Sequence, residues 1–431
     1  GPCMYCFFTH IKYFSRWTGF GPGNDQNSLI SAMSDTYDAI IIGAGPGGCS
    51  AAAFLSGAGR DVLLVDRARF PRDKTCGDGL SVTALPVLER MGVLEKVEAH
   101  NPWKCDGVIL SSPNDVVMRG RATQVGGVYN YGYVIPRKIF DTALFEHVRD
   151  LPHVTVREEC AFRDFIHEGN AICGIRARSG NNEEFEVRGR FIIGADGVHS
   201  AVARKLGNHA SGSIKKAFAV RAYFENVDGL EHLIALHYEK TILPGYAWIF
   251  PTGERSANVG VGMICQGKPP HNMKDLFEMF ITRNRFAREK LGRATMVEGS
   301  FKGAHLATGT MGVRRSFGNV LLVGDAGGFV DALTGEGIYY ALRSGEQAAS
   351  AIIEVLARKE ATGDVGAIYD GSWRRDFRRD IIFGNLFQKA LTKKSLMNLI
   401  VWRSSRNQAK ADILSGVIQH ALPKTRLFRV I

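Results

Sequence analysis

The chain has 431 residues, of which 45% are hydrophobic and 23% charged. That profile excludes a disordered or collagen-like chain and allows two or three domains or one large composite. The net charge of +11 is concentrated: over residues 372–431 thirteen Lys and Arg face only Asp376, Asp380 and Asp412. Such a charge predicts an anionic surface as partner of the C-terminal end, and no nucleic acid is expected.

Residues 1–36 form an N-terminal extension whose stretch 4–17 is aromatic and basic. It reads either as a targeting or membrane-surface segment or as an expression scar (Gly1-Pro2) plus an over-extended reading frame with Met33 as the natural start, and it is set outside the fold. No run of 18 apolar residues occurs, so no spanning helix is expected. Eight scattered cysteines fit reduced thiols in a cytoplasmic protein. Cys3 and Cys6 are a lone C-x-x-C, and no metal site is expected.

From residue 37 the pattern is strand, glycine-rich turn, helix over 47–57, then a buried strand over 61–66, the size of a βαβ unit. The turn Gly43-Ala44-Gly45-Pro46-Gly47-Gly48 fits G-x-G-x-x-G. Gly43 permits the tight turn, Gly45 admits a pyrophosphate and Gly48 lets helix and strand pack closely. Asp66, at the end of the second strand, is placed for ribose hydroxyls. NAD and FAD both suit this unit.

Residues 106–133 alternate as turn-rich strands, and 139–148 read as a helix. The segments 154–156, 171–177 and 184–193 read as a meander whose end, 191–195, re-enters a parallel sheet. It leads into Gly194-Ala195-Asp196-Gly197-Val198-His199-Ser200. A second antiparallel set fills residues 215–305, with one helix over 273–286. A short strand over 319–323 precedes Gly324-Asp325-Ala326-Gly327-Gly328, and Gly335-Glu336-Gly337-Ile338 opens a helix running to about Arg358.

These three glycine motifs, in this order, resemble the flavoprotein group typified by aromatic hydroxylases. The resemblance covers residues 37–356 and implies FAD, held also by Asp196, by Asp325 at the ribityl chain, and by the backbone of Gly335, Gly337 and Ile338. Arg137 matches a position where relatives contact FAD; read alone, it is a surface residue capping a helix. Tyr246-Ala247-Trp248-Ile249-Phe250-Pro251 with Gly260-Val261-Gly262, and Cys76-Gly77-Asp78-Gly79, narrow the likeness to the geranylgeranyl reductase family. That family implies saturation of isolated double bonds in polyprenyl chains of lipids or quinones.

Alternation puts Tyr246, Trp248 and Phe250 on one strand face, either as sheet core or as an apolar wall for a hydrocarbon. Cys76, Tyr246 and Trp248 are the candidate catalytic residues, with Cys76 near the proton to be delivered; the alternative for Cys76 is a small buried hydrophobe. Ala332 stands where relatives often have proline and is expected to loosen the flavin loop. An external donor, NAD(P)H or a ferredoxin-type protein, is required. A mono-oxygenase or halogenase, or an accessory flavoprotein acting on a partner protein, are the competing readings.

The expected fold is α/β. A Rossmann-type FAD-binding domain (37–105, 134–210 and 313–371) is interrupted by an antiparallel-sheet substrate domain (106–133 and 211–312). A basic helical C-terminal segment (372–431) follows. Its residues Ile382, Leu386, Phe387, Ala390 and Leu391 share one face by i, i+4 spacing, so it is either a solvated helix or one lying on an anionic membrane, which would make the protein peripheral there.

Overall fold

The computed structural model describes residues 36–121, 129–208, 215–265, 272–309, 311–358 and 364–431; most of the expected N-terminal extension lies outside them. Strand β1 (Tyr37–Ile42), helix α1 (Pro46–Gly57) and strand β2 (Val62–Val65) come first. Then follow the hairpin β3 (Gly107–Ser111) and β4 (Val117–Arg121), helix α2 (Arg137–Arg149) and strand β5 (Val154–Arg157). Strands β6 (Ala161–Glu168), β7 (Ala171–Arg178) and β8 (Glu184–Gly194) form a meander.

Four long strands succeed it: β9 (Lys215–Glu225), β10 (Leu233–His237), β11 (Tyr246–Pro251) and β12 (Ser256–Cys265). Helices α3 (Met273–Arg283) and α4 (Arg285–Leu291) lead to β13 (Lys302–Thr308) and β14 (Val320–Leu322). The chain ends in helices α5 (Ile338–Arg358), α6 (Val365–Ala390), α7 (Lys394–Ser405) and α8 (Gln408–Ile418).

The first sheet runs β14–β8–β1–β2–β5 in parallel, with the two-residue strand Ser316–Phe317 antiparallel on the outer edge of β14. Its central strands are continuous apolar runs because helices cover them. Helices α1 and α5 pack tightly, and the Ser50 hydroxyl donates to the Leu342 carbonyl at 2.6 Å. The second sheet runs β9–β12–β11–β10–β3–β4, with β13 on the other edge of β9. Helices α7 and α8 close over it: Val108, Leu110 and Met118 share a core with Ile400, Ala411 and Leu414. A small third sheet joins Gly79–Leu80, Gly132–Val134 and Trp103–Cys105, and so anchors the loop that carries Cys76.

The architecture is the expected one, with local differences. Strand β5 belongs to the parallel sheet, not the meander; as its edge strand it is alternately half-buried and exposed, the pattern of an antiparallel strand. Strand β6 was not foreseen, because a register shift lets Phe162 and Phe165 both bury and breaks the period of two. The helix expected over 273–286 breaks at Asn284, whose backbone is extended and whose side chain accepts from the Ala287 N–H at 2.8 Å to start α4. The second sheet contains one parallel pair, β10 with β3; the chain returns to β3 over more than a hairpin, so no turn dictates the direction. Helix α6 runs through the boundary expected at 371/372.

Candidate active site

The glycine turn forms a phosphate cradle. Gly43 has φ +105°, a conformation other residues rarely adopt, and the Ala195 backbone lies against it. A side chain on Gly48 would overlap the Gly43 carbonyl, so α1 and β1 meet directly. Helix α1 starts after Gly45 with no side-chain cap and Pro46 in its first turn, leaving N–H groups for an anion. Asp66 accepts from the Ala44 N–H at 2.7 Å and the Ala68 N–H at 2.8 Å, which holds its carboxylate beside the cradle.

A cavity of about 220 Å³ opens next to it. Of the sequence-predicted residues, Pro46, Cys76, Arg137, Tyr246, Trp248, Phe250, Asp325, Gly335, Gly337 and Ile338 line it. Gly43, Gly45, Gly47, Gly48 and Asp66 build the cradle behind it. Asp196 does not reach the cavity wall: it accepts from the Ser200 hydroxyl and the Ala201 and Val202 N–H groups, capping the short helix Ala201–Lys205. Asp325 is ion-paired to Lys74 at 3.2 Å.

The aromatic strand bridges two loops. The Tyr246 hydroxyl donates to the Thr334 carbonyl. The Trp248 indole N–H donates to Asn258 Oδ1 at 2.9 Å. The Phe250 ring lies so close that a Cβ on Gly77 would sit 3.1 Å from it. Tyr246 and Trp248 thus have their polar atoms engaged with protein, and burial pushes the Tyr246 phenol far up. Both present ring surface to the cavity.

The Cys76–Gly79 loop hangs on Asp78, which has φ +68°. Its Oδ2 accepts from the Tyr223 hydroxyl and the Asn258 amide, each at 2.7 Å, and its Oδ1 from the Arg137 N–H at 3.1 Å. The same Asn258 amide donates to the Cys76 carbonyl at 2.8 Å. One side chain therefore ties Trp248, Cys76 and Asp78 together. Burial pushes Asp78 up to about 6 against the pull of Tyr223 and Asn258. Burial also raises the Cys76 thiol, while the Arg137 guanidinium beside it pulls the other way. Arg137 is itself buried and paired to Asp141 at 2.7 and 2.8 Å.

The loop 331–337 is tied from the C-terminal end of the chain. Asp331 accepts from the Leu333 and Thr334 N–H groups at 3.0 and 2.9 Å and meets Lys424 Nζ at 2.8 Å. The Lys424 and Asp331 side chains are only 1% and 2% exposed. His420 reaches the Thr334 hydroxyl at 2.9 Å. Burial works to raise the Asp331 pKa, but Lys424 and His420 outweigh it and hold the carboxylate ionised. Ala332 sits between anchored neighbours, so the freedom expected from its missing proline is taken up by these bonds. Sequence reasoning missed Tyr223, Asn258, Glu336, His420 and Lys424. Asn258 left a signal, as a polar residue inside the apolar strand β12. Lys424 was counted as surface charge.

A family model described as an FAD binding domain matches residues 36–365. The chain is 33% identical over 360 residues to the digeranylgeranylglycerophospholipid reductase of Methanosarcina acetivorans, covering 81% of this chain and 83% of that one. It is 30% identical over 331 residues to the menaquinone reductase of Mycobacterium tuberculosis, covering 74% and 77%. The fold resembles the crystal structure of a geranylgeranyl bacteriochlorophyll reductase-like protein from Thermoplasma acidophilum, with a TM-score of 0.78, 22% identity and coverage of 92% and 99%.

Proposed function

The chain belongs to the geranylgeranyl reductase family of FAD-binding oxidoreductases, and from that premise we propose that it saturates isolated double bonds in the polyprenyl chain of a lipid or quinone. The cradle at Gly43–Gly48 would take the pyrophosphate, Asp66 the ribose, and Asp325 with the loop 335–338 the ring end. The glycine cradle and uncapped helix fit that group. When bound, FAD supplies the reducing equivalents, which an external donor of the NAD(P)H or ferredoxin type must replenish.

The carrying observation is the aromatic strip of Tyr246, Trp248 and Phe250, pinned at one end to the 331–337 loop and at the other to the Cys76 loop. It offers an alkene a flat apolar wall and excludes water. The apolar lining continues: a second cavity of about 30 Å³ shares Leu236, Leu333, Thr334 and Ile418 with the first and extends among Phe387, Met397 and Leu427. A chain held there is positioned rather than gripped by polar bonds. Cys76, a thiol kept protonated by burial, holds a proton at Sγ on the rim of this wall.

The anaerobically reduced protein, given geranylgeranylated phospholipid or menaquinone, is expected to yield products two hydrogens heavier per bond by mass spectrometry. Oxygen- or halide-dependent mass gain would instead make it a mono-oxygenase or halogenase. Flavin reoxidation with neither would favour the accessory role.

The surface carries a second part of the reading. Ile382, Leu386, Leu399, Trp402 and Phe428 are exposed, and Lys389, Lys393, Lys394, Arg406 and Arg429 are exposed with them. The expected apolar face of α6 is divided: Phe387 turns into the core, while Ile382 and Leu386 face outward. Among the described residues no helix is long and apolar enough to cross a membrane. These exposed basic and apolar side chains of the C-terminal segment suit an anionic bilayer surface, where an insoluble substrate resides. Co-sedimentation with anionic but not neutral vesicles, lost in a Leu386→Ser/Trp402→Ser double variant, is the expected result; equal binding to both vesicle types refutes it.

A further inference from the structure

Helix α5 begins at Ile338, on the wall of the main cavity. A helix N-terminus stabilises negative charge through its free N–H groups and dipole. By sequence, the Gly337 and Ile338 N–H groups would serve the ring end of the cofactor in this way. In the structure, the chain's own carboxylate is there first. Glu336 Oε1 accepts from the Tyr339 N–H at 2.9 Å, and the Ile338 N–H also faces the carboxylate. Glu336 lines the same cavity as Asp325, Gly337 and Ile338.

Its place is fixed on both sides. The Glu336 carbonyl accepts from the Asp331 N–H at 2.9 Å, and its N–H points to the Thr334 hydroxyl at 3.3 Å. We propose that Glu336 sets the reducing power of this site: by occupying the helix N-terminus with its own charge, it withholds that stabilisation from the reduced flavin and keeps the bound cofactor a low-potential reductant. Charge near the flavin ring is one of the protein's levers on its potential. An isolated alkene, which accepts electrons poorly, demands a strong reductant.

The charged and titratable groups facing Glu336 are Arg137 from α2, Asp331 from its own loop and the Tyr246 phenol from β11. Burial pushes the Glu336 carboxyl up to about 7, opposed by the two backbone N–H groups, so its charge appears within the working range. The inference rests on FAD binding and not on the identity of the lipid.

The test is the flavin midpoint potential of FAD-loaded protein, equilibrated anaerobically with a reference dye at pH 8 without lipid. In Glu336→Gln the equilibrium should move about tenfold toward reduced flavin, or ~30 mV for a two-electron couple. Glu336→Asp, which keeps the charge, should stay within about threefold of the parent. An unchanged or lower potential in Glu336→Gln overturns the proposal, as does an equal shift in both variants, since that would report only the lost helix cap. If Glu336→Gln does not retain FAD, proton uptake on reducing the unaltered protein decides. Uptake onto a carboxyl between pH 6 and 8, seen by infrared difference spectroscopy and kept in Asp78→Asn, supports the proposal, and no carboxyl signal there in that variant overturns it. A missing lipid product would leave these readouts intact.

Discussion

Two loops line the same cavity, and each is organised by one buried aspartate. In the loop 331–337 the aspartate, Asp331, meets the Lys424 ammonium and two backbone N–H groups, and it is held ionised. In the Cys76 loop the aspartate, Asp78, meets neutral donors from Tyr223, Asn258 and the Arg137 backbone, and burial pushes it up toward neutrality. Burial is common to both, so the partner decides the outcome. The paired carboxylate makes a fixed anchor that depends on a lysine some ninety residues away in sequence. The unpaired one makes an anchor that gains or loses a proton near physiological pH, next to the thiol.

The hardest blow to this contrast is Lys424→Met. It leaves Asp331 charged and buried without its partner, and the expected cost is about 3–5 kcal/mol by chemical denaturation, with weakened FAD retention. A cost below that of altering Asn258 would contradict the distinction between the loops.

A pH series separates the two aspartates further. Asp78 has a raised folded-state pKa, so its contribution is fully present below its unfolded value of 3.8 and is lost as pH rises through about 6. The loss is on the order of 3 kcal/mol at full ionisation, from about 1.4 kcal/mol per pKa unit. Asp331 has a lowered one: its contribution is present above the ordinary carboxylate range and is lost only as pH falls below it. Denaturation at fixed FAD concentration between pH 4 and 8 should therefore show the stability difference between the parent and Asp78→Asn shifting toward the variant as pH rises through about 6. An identical slope in the variant would mean Asp78 does not titrate there.

The smallest expected effect is that of Asn258→Leu. It strands the Trp248 indole N–H and the Cys76 carbonyl and takes one donor from Asp78, which keeps Tyr223 and the Arg137 N–H, at about 1–3 kcal/mol. Because Asn258 joins the aromatic strip to the Cys76 loop, turnover of polyprenyl lipid should fall well before FAD affinity does. Equal loss of both would show that the strip and the loop are not positioned separately from the cofactor.

The cradle was legible from Gly43, Gly45, Gly48 and Asp66 because its chemistry is local. A tight turn, a close helix and a carboxylate at a strand end all lie within one βαβ unit. The aromatic strip was legible too, since alternation alone puts Tyr246, Trp248 and Phe250 on one face. What these rings bond to was not: Thr334 lies 88 residues from Tyr246 and Asn258 10 from Trp248, the Asn258 amide reaches on to Cys76 across 182 residues, and no periodicity links them. Asp196 was read from its motif as a cofactor residue, and only the structure places its oxygens on the N–H groups that open the following helix. Likewise Lys424 counted toward a basic surface, although its ammonium lies inside the protein.

The sequence by itself determined the FAD cradle, the alternation of parallel and antiparallel sheets, and the excess of positive charge at the C-terminal end. These follow from steric rules of the backbone, from hydrophobic period and from counting. Only the tertiary structure decided which carboxylates carry charge, which basic residues reach solvent, and how the Cys76 and 331–337 loops are fixed. Those properties depend on desolvation and on partners brought together from distant segments, and neither is encoded in any local stretch of the chain.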